Sequence, residues 1–255
     1  MLWYKSWMET RWRFLIGLAL LMCSAAAIVL TYPQVVKLLP LATKLDLSGE
    51  IGRRVTESVD LARDYRGYVW SQWFRKNMMQ MWALFAMLLG TGGLLSQTSG
   101  GGTLFTLSLP ATRNRLLGIR AATGLAELLV LAIVPSLLLP ALSGSVGQTY
   151  GVGDALVHSA CMFIAGAVFF SLAFLLSTVF TDVWRPLLIV LCAATALALF
   201  GQVFPDVTRY GLYWVMSAEG YFRGSGLPWL GLVASAAVSV AMLCAATINI
   251  ARQDF

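Results

Sequence analysis

Few side chains of this sequence are suited to acid–base, nucleophilic or metal chemistry. Glu127 lies near the middle of a long apolar run, and the only histidine, His158, lies near the start of the next one. A charged acid at the centre of an apolar helix costs on the order of 3 kcal/mol on membrane-insertion scales, so Glu127 is expected to face other helices, a partner or a wet cavity. Three roles stay open for Glu127: a substrate path or coupling, a structural hydrogen bond across a bundle, or a neutral, protonated acid.

Motifs for nucleotide binding, zinc hydrolysis and serine hydrolysis are missing from the sequence. It has no G-x-x-x-x-G-K-[ST], no H-E-x-x-H and no G-x-S-x-G pattern. One histidine offers little to a metal site or a catalytic triad, and His158 is interpreted as an interfacial residue. The cysteines lie inside apolar runs and outside any C-x-x-C pair, as small apolar fillers do: Cys23, Cys161, Cys192 and Cys244. We expect no enzyme, and no metal or cofactor bound by this chain.

The composition places these residues in a membrane protein. Hydrophobic residues make up 58% of the 255-residue chain and charged residues 12%, against about 45–50% and about 25% in soluble domains. The net charge of +6 is spread between apolar runs without a basic stripe. Such charges set the orientation of membrane helices and do not indicate nucleic-acid binding.

Six apolar runs are long enough to cross a hydrocarbon core of about 30 Å, which takes about 20 helical residues. They are Phe14–Tyr32, Met78–Leu95, Leu116–Leu142, Ala155–Thr178, Pro186–Val203 and Trp229–Ile250. Their polarity does not alternate, as it would in a membrane β-barrel. The predicted fold class is therefore all-α: a polytopic membrane protein with six transmembrane helices, in a single domain over residues 1–255.

The segments outside these runs have distinct compositions. Residues 1–13 carry tryptophans at helical spacing, which predicts an interfacial amphipathic helix. Residues 33–76 are highly charged and are predicted to form an external loop with a helix over residues 55–68. The aromatic segment 204–227 is predicted to be external or re-entrant. Basic residues do not settle the orientation, because the charges of the 33–76 loop reverse an otherwise clear positive-inside bias.

The loop over residues 98–115 carries the most specific motif. Residues 102–113 read Gly-Thr-Leu-Phe-Thr-Leu-Ser-Leu-Pro-Ala-Thr-Arg. This stretch resembles the signature of ABC-2 type permease subunits: a Gly-Thr, a hydrophobic stretch ending in Leu-Pro, then a small residue and Ser or Thr before Arg. The entry helix, the six spans and the aromatic segment before the last span also match. One departure is the absence of a Glu shortly before the Gly-Thr, where residues 97–101 hold no acid.

The resemblance implies the membrane half of an ATP-driven transporter, usually an exporter. A separate ATPase subunit would carry ATP and Mg and dock on the cytoplasmic coupling loop, and a second permease copy or a homologous permease would complete the transporter. By resemblance the ATPase-coupling residues are Gly102, Thr103, Thr106, Leu107, Ser108, Leu109, Pro110 and Arg113.

The resemblance also implies a multi-pass protein of the bacterial inner membrane with both termini cytoplasmic. Two other classes stay open: a non-transporting membrane scaffold or assembly protein, and an intramembrane enzyme using Glu127 and His158. The cargo is not specified, although spans without a polar track favour an amphiphilic or lipid-like substrate.

Overall fold

The computed structural model describes residues 2–42, 49–91, 113–180, 182–203 and 211–252. Every regular element in these ranges is a helix, which confirms the all-α class for this part of the chain. The elements are α1 (Leu2–Ala42), α2 (Gly49–Arg63), α3 (Tyr65–Val69), a π-helix (Trp70–Met78), α4 (Met79–Gly90), α5 (Arg113–Ser143), a 3-10 turn (Gly144–Val146), α6 (Val152–Leu176), α7 (Trp184–Val203), α8 (Leu212–Met216), α9 (Glu219–Phe222) and α10 (Trp229–Ala251).

Within the described ranges, five helical segments are long and apolar enough to cross a membrane. They are Leu2–Leu39, Asn114–Val146, Val152–Leu176, Trp184–Gly201 and Trp229–Ala251. They coincide with the first, third, fourth, fifth and sixth apolar runs of the sequence. The structure is therefore that of a helical protein compatible with several membrane passes.

The second predicted span, Met78–Leu95, differs from the other five. Its described part is α4, which has 12 residues and is too short to cross a bilayer alone. The chain is nevertheless helical from Tyr65 to Gly90, because α3, the π-helix and α4 follow one another directly. At about 1.5 Å per residue this stretch is roughly 35–40 Å long. Polar residues within the π-helix lower its hydropathy, so hydropathy alone does not show that the helix begins before Met78.

The predicted interfacial helix over residues 1–13 is not a separate element, and its position at an interface is not confirmed. Helix α1 has 41 residues without a break, so it is about 60 Å long, about twice the thickness of a hydrocarbon core. The first glycine is Gly17 and the first proline is Pro33, so no residue at position 13 ends the helix. Pro33, where the predicted loop begins, lies inside α1. The helix continues past it with the loss of one backbone hydrogen bond, because proline has no N–H.

The described part of the predicted 33–76 loop is also helical, apart from a break at Asp64. The Asp64 side chain accepts a hydrogen bond from the backbone N–H of Gly67 (3.3 Å) and thereby caps α3. The aromatic residues that follow Asp64 are buried in the core. Trp73 and Phe74 are both 0% exposed, because α3 and the π-helix pack inside the bundle.

Contacts at the helix ends give the direction of each helix. Glu9 of α1 contacts Arg120 near the start of α5, while Tyr32, late in α1, packs on Tyr65, which bonds Ser143 at the end of α5. Helices α1 and α5 therefore run in the same direction. The stretch 65–90 runs in the opposite direction, because its last turn lies beside the first turns of α1.

Helix α6 lies at the centre of the bundle, and small residues let its neighbours approach closely. A Cβ added at Gly90 of α4 would stand 2.6 Å from the carbonyl oxygen of Phe170. The ring of Trp82 occupies the place of a Cβ at Gly166. Such close backbone packing is typical of helices that associate in membranes, where there is little hydrophobic drive between them.

Candidate functional site

Glu127 is buried within the bundle and faces the first turns of α1. Only 3% of the residue is exposed. The Thr10 hydroxyl donates a hydrogen bond to Oε1 of Glu127 (2.5 Å), while Oε2 has no hydrogen-bond partner among the described residues. The sequence identified Glu127 from the cost of its burial, but it did not identify Thr10. The hydrogen bond across the bundle is one of the three roles left open for Glu127.

Arg120 lies two turns before Glu127 and pairs with a different acid of α1. Its Nη1 is 3.1 Å from Oε2 of Glu9, and the two side chains are only 12% and 27% exposed. The pair is thus mostly shielded from solvent. The attraction between the two charges is stronger there than at an open surface. Helix α1 therefore supplies a partner to each charged residue on this face of α5.

Arg13 links α1 to the end of α4. Its Nη1 donates hydrogen bonds to the carbonyl oxygens of Leu88 (2.8 Å) and Thr91 (3.1 Å). The last carbonyls of a helix lack intrahelical partners and carry the negative end of the helix dipole. A guanidinium at this position donates hydrogen bonds to these carbonyls and places a positive charge at the negative end of the dipole. Arg13 therefore holds the end of α4 against α1.

We call these five residues the N-terminal cluster: Glu9, Thr10, Arg13, Arg120 and Glu127. Its formal charges cancel, with two acids and two arginines. The cluster joins α1 to the end of α4 and to the first half of α5, which are the two helices that flank residues 92–112. Sequence reasoning missed the α1 members, although Glu9 and Arg13 lie one turn apart on one helix face and would have been found by extending the first span backwards.

The predicted coupling residues fall mostly outside the described part of the chain. Arg113 is the first residue of α5. The others lie in residues 92–112, which the structure does not describe: Gly102, Thr103, Thr106, Leu107, Ser108, Leu109 and Pro110. Their predicted role stays a prediction.

A second polar group lies at the opposite end of the bundle, around the first turn of α6. Arg66 of α3 contacts the Asp154 carboxylate through Nε (3.2 Å) and Nη2 (3.3 Å). Tyr221 of α9 donates a hydrogen bond to the same carboxylate (2.7 Å). This hydrogen bond, and then burial, raise the pKa of Tyr221 above its ordinary value of 10. We call Arg66, Asp154 and Tyr221 the Asp154 cluster; it joins three elements that are distant in sequence.

His158 is buried beneath this cluster, which corrects its interpretation as an interfacial residue. It is 1% exposed, and its ring stacks on Phe74 at 4.6 Å. Its Nδ1 lies 3.2 Å from the carbonyl oxygen of Ser217, which also accepts a hydrogen bond from the Trp70 indole (3.0 Å). The short helices α8 and α9 thus place a backbone acceptor, rather than a side chain, against His158.

The two residues of the enzyme hypothesis contact different parts of the bundle. Glu127 lies more than four turns before the end of α5, while His158 lies less than two turns into α6. Because these neighbouring helices are antiparallel, the two residues are about 15 Å apart along the helix axes. At this separation they do not form an acid–base pair, and among the described residues they share no hydrogen-bond partner. Among the described residues no group of three or more His, Cys, Asp or Glu could hold a metal ion.

The fold and these clusters define the class only coarsely: an α-helical protein with several helices of membrane-spanning length and two polar clusters at opposite ends. Comparison with family models, with curated proteins and with solved structures gives no match to this chain.

Proposed function

We propose that this chain is the membrane-spanning permease subunit of an ATP-driven ABC transporter, an exporter whose ATPase is a separate subunit. The motif over residues 102–113 supports the class. The observation that carries the mechanism is the N-terminal cluster, because it ties both helices flanking the motif to α1. Residues 98–115 are the proposed cytoplasmic coupling loop.

The proposal includes six spans, with the helical stretch from Tyr65 to Gly90 as the second. Support comes from direction: α1 and α5 run the same way, so the chain between them must cross back. The proposal places both termini in the cytoplasm of a bacterial cell with the protein in the inner membrane. In agreement, Asn249 near the end of α10 bonds Thr178 just after α6, at the end of the bundle where α1 begins.

The coupling step follows from the three links of the N-terminal cluster. A push on residues 92–112 would reach the end of α4 at Thr91 and the start of α5 at Arg113. Arg13 carries the first displacement to α1, while Arg120 and Glu127 carry the second to the same helix. Three helices then respond together, which a simple connecting loop would not achieve.

The proposed partner is recruited through an apolar patch that includes Leu107 and Leu109 of the motif. A tagged chain isolated from its native membrane is expected to bring down a P-loop ATPase, identified by mass spectrometry. The combination of Leu107→Asp and Leu109→Asp places two charges in the patch and should release that ATPase. Thr98→Asp with Ser99→Asp, in the same loop but outside the motif, serves as the matched control.

Two results would contradict the proposal. If no ATPase accompanies the unaltered chain after crosslinking in native membranes, the transporter class is wrong. If the Leu107/Leu109 variant keeps the ATPase and supports substrate-stimulated hydrolysis, the coupling assignment is wrong. A complete transporter also requires a second permease copy or a homologous permease, so the crosslinked complex should contain two six-span subunits.

A further inference from the structure

The Thr10 hydroxyl lies beside more oxygen atoms than it can serve as a donor. Its Oγ1 is 2.5 Å from Oε1 of Glu127. It also lies 3.2 Å from the carbonyl oxygen of Ser6 and 3.4 Å from that of Trp7. A hydroxyl group carries one proton and two lone pairs, so it can donate one hydrogen bond and accept others.

The state of the Glu127 carboxyl decides how these contacts are used. If the carboxyl is ionised, Thr10 donates to it and leaves the carbonyl of Ser6 without the hydroxyl proton. If the carboxyl holds a proton on Oε1, it donates to Thr10, and Thr10 donates to Ser6. The oxygen positions fit both arrangements, but only the second turns two of the three contacts into hydrogen bonds.

The second carboxyl oxygen of Glu127 favours the protonated arrangement. Oε2 is buried and has no hydrogen-bond partner among the described residues. An ionised carboxylate spreads its charge over both oxygens and can only accept, so its burial with a single donor is costly. A neutral carboxyl would leave only an uncharged carbonyl oxygen unpaired at this position.

The charged groups nearest to Glu127 are used elsewhere. Arg120 on the same helix holds Glu9 of α1 through Nη1 (3.1 Å). Arg13 of α1 donates to the carbonyl oxygens at the end of α4. Among the described residues no lysine or arginine forms an ion pair with Glu127, so no cation compensates an ionised carboxylate directly.

The other helices that pack on α5 supply no cation either. These are α4, α6 and α10. Helices α4 and α10 hold no acidic or basic residue. In α6 the only such residues are Asp154 and His158, which lie in its first two turns at the opposite end of the bundle. A proton is therefore the simplest way to neutralise the Glu127 carboxyl.

We propose that Glu127 is a proton-binding site. At neutral pH its carboxyl holds a proton on Oε1 and donates it to Oγ1 of Thr10, whose own proton is donated to the Ser6 carbonyl. Without this proton, a charged Oε2 would compete with Glu9 for Arg120. The bound proton thus keeps each group of α5 with its own partner on α1, and the inference does not depend on the proposed ATPase subunit.

Infrared spectroscopy of the purified chain tests for the proton, because a protonated carboxyl and a carboxylate absorb at different frequencies. At neutral pH, in a detergent without ester or carboxyl groups, the unaltered chain should show a protonated-carboxyl band. Carbon-13 labelling of the glutamate side-chain carboxyls should shift this band, which assigns it to glutamate without any substitution. Absence of such a glutamate band overturns the proposal.

Substitutions then assign the band to one residue and test the direction of the hydrogen bond. Glu127→Gln should remove the band, whereas Glu9→Gln, the same chemical change in the same cluster, should keep it. Thr10→Val should keep the band but move it to higher frequency, because the carboxyl O–H loses its acceptor, and Thr10→Ser should leave it in place. A band that survives Glu127→Gln, or that Thr10→Val leaves unmoved, overturns the proposal.

Discussion

Removing the Thr10 hydroxyl should destabilise the protein, because it is the described partner of the buried Glu127 carboxyl. Thr10→Val keeps the shape of the side chain but leaves both carboxyl oxygens of Glu127 unpaired. An unsatisfied buried polar group costs about 1–3 kcal/mol, whereas interhelical hydrogen bonds in membranes average about 0.6 and reach about 1.7 kcal/mol. Glu127 has no second hydrogen-bond partner among the described residues. We therefore expect Thr10→Val to lower the free energy of unfolding by about 1–2 kcal/mol.

The assay is reversible unfolding in detergent, followed by far-UV circular dichroism. For a chain of this size, a loss of 1–2 kcal/mol corresponds to a Tm lowered by roughly 3–6 °C. A double-mutant cycle with Glu127→Leu isolates the bond itself. With the carboxyl gone, Thr10→Val should cost less than about 0.5 kcal/mol, which gives a coupling energy of about 1 kcal/mol.

Thr195→Val is the matched control for this cycle. The Thr195 hydroxyl donates only to the Leu191 carbonyl within its own exposed helix (2.8 Å), so its removal should change the stability little. Thr10→Ser should retain most of the stability because it keeps the hydroxyl. Strictly additive effects of Thr10→Val and Glu127→Leu would refute the direct bond between these two side chains.

Three further outcomes follow from the described contacts. Arg13→Gln should lower stability by about 1 kcal/mol and speed amide exchange at the end of α4, whereas Arg11→Gln should do neither, because Arg11 contacts Met8 and Trp12 of its own helix. Tyr221→Phe should weaken the fall of the free energy of unfolding at alkaline pH. Because the pKa of Tyr221 is raised in the folded protein, its contribution to stability is complete below pH about 10 and is lost as the pH rises through the folded pKa. Gly166→Leu should cost about 3 kcal/mol or more, measured by thermal unfolding, because Trp82 fills the space. Gly153→Ala in the same helix, with open space at its Cβ, should be near neutral.

Hydropathy predicted five of the long helices well, because about 20 consecutive apolar residues are a property of local composition. It placed the ends of α1 poorly, because a helix continues past its lipid-facing part wherever no residue interrupts it. Neither Arg13 nor Pro33 ends α1. Hydropathy missed the first half of the helical stretch from Tyr65 to Gly90 for the opposite reason: this half is helical and buried but contains polar residues.

The sequence alone identified only part of the candidate site. Glu127 stands out because a buried acid is expensive, and that cost is visible in one segment alone. Its partner Thr10 is 117 residues away, and a threonine in an apparently interfacial segment carries no signal of its own. His158 was misplaced for a related reason, since its burial depends on α8 and α9, which meet it only in the folded protein.

The two clusters limit how this bundle can change shape. The N-terminal cluster joins α1 to α4 and α5 at one end, and the Asp154 cluster joins α6 to α3 and α9 at the other. Between them the described core is mostly apolar, and apolar contacts are non-directional, whereas hydrogen bonds demand fixed geometry. Rearranging the middle therefore costs less in specific bonds than parting either end. In the proposed transporter, a push at residues 92–112 would move α1, α4 and α5 as a unit against α6. Opening the far end would then require Arg66 and Tyr221 to leave Asp154.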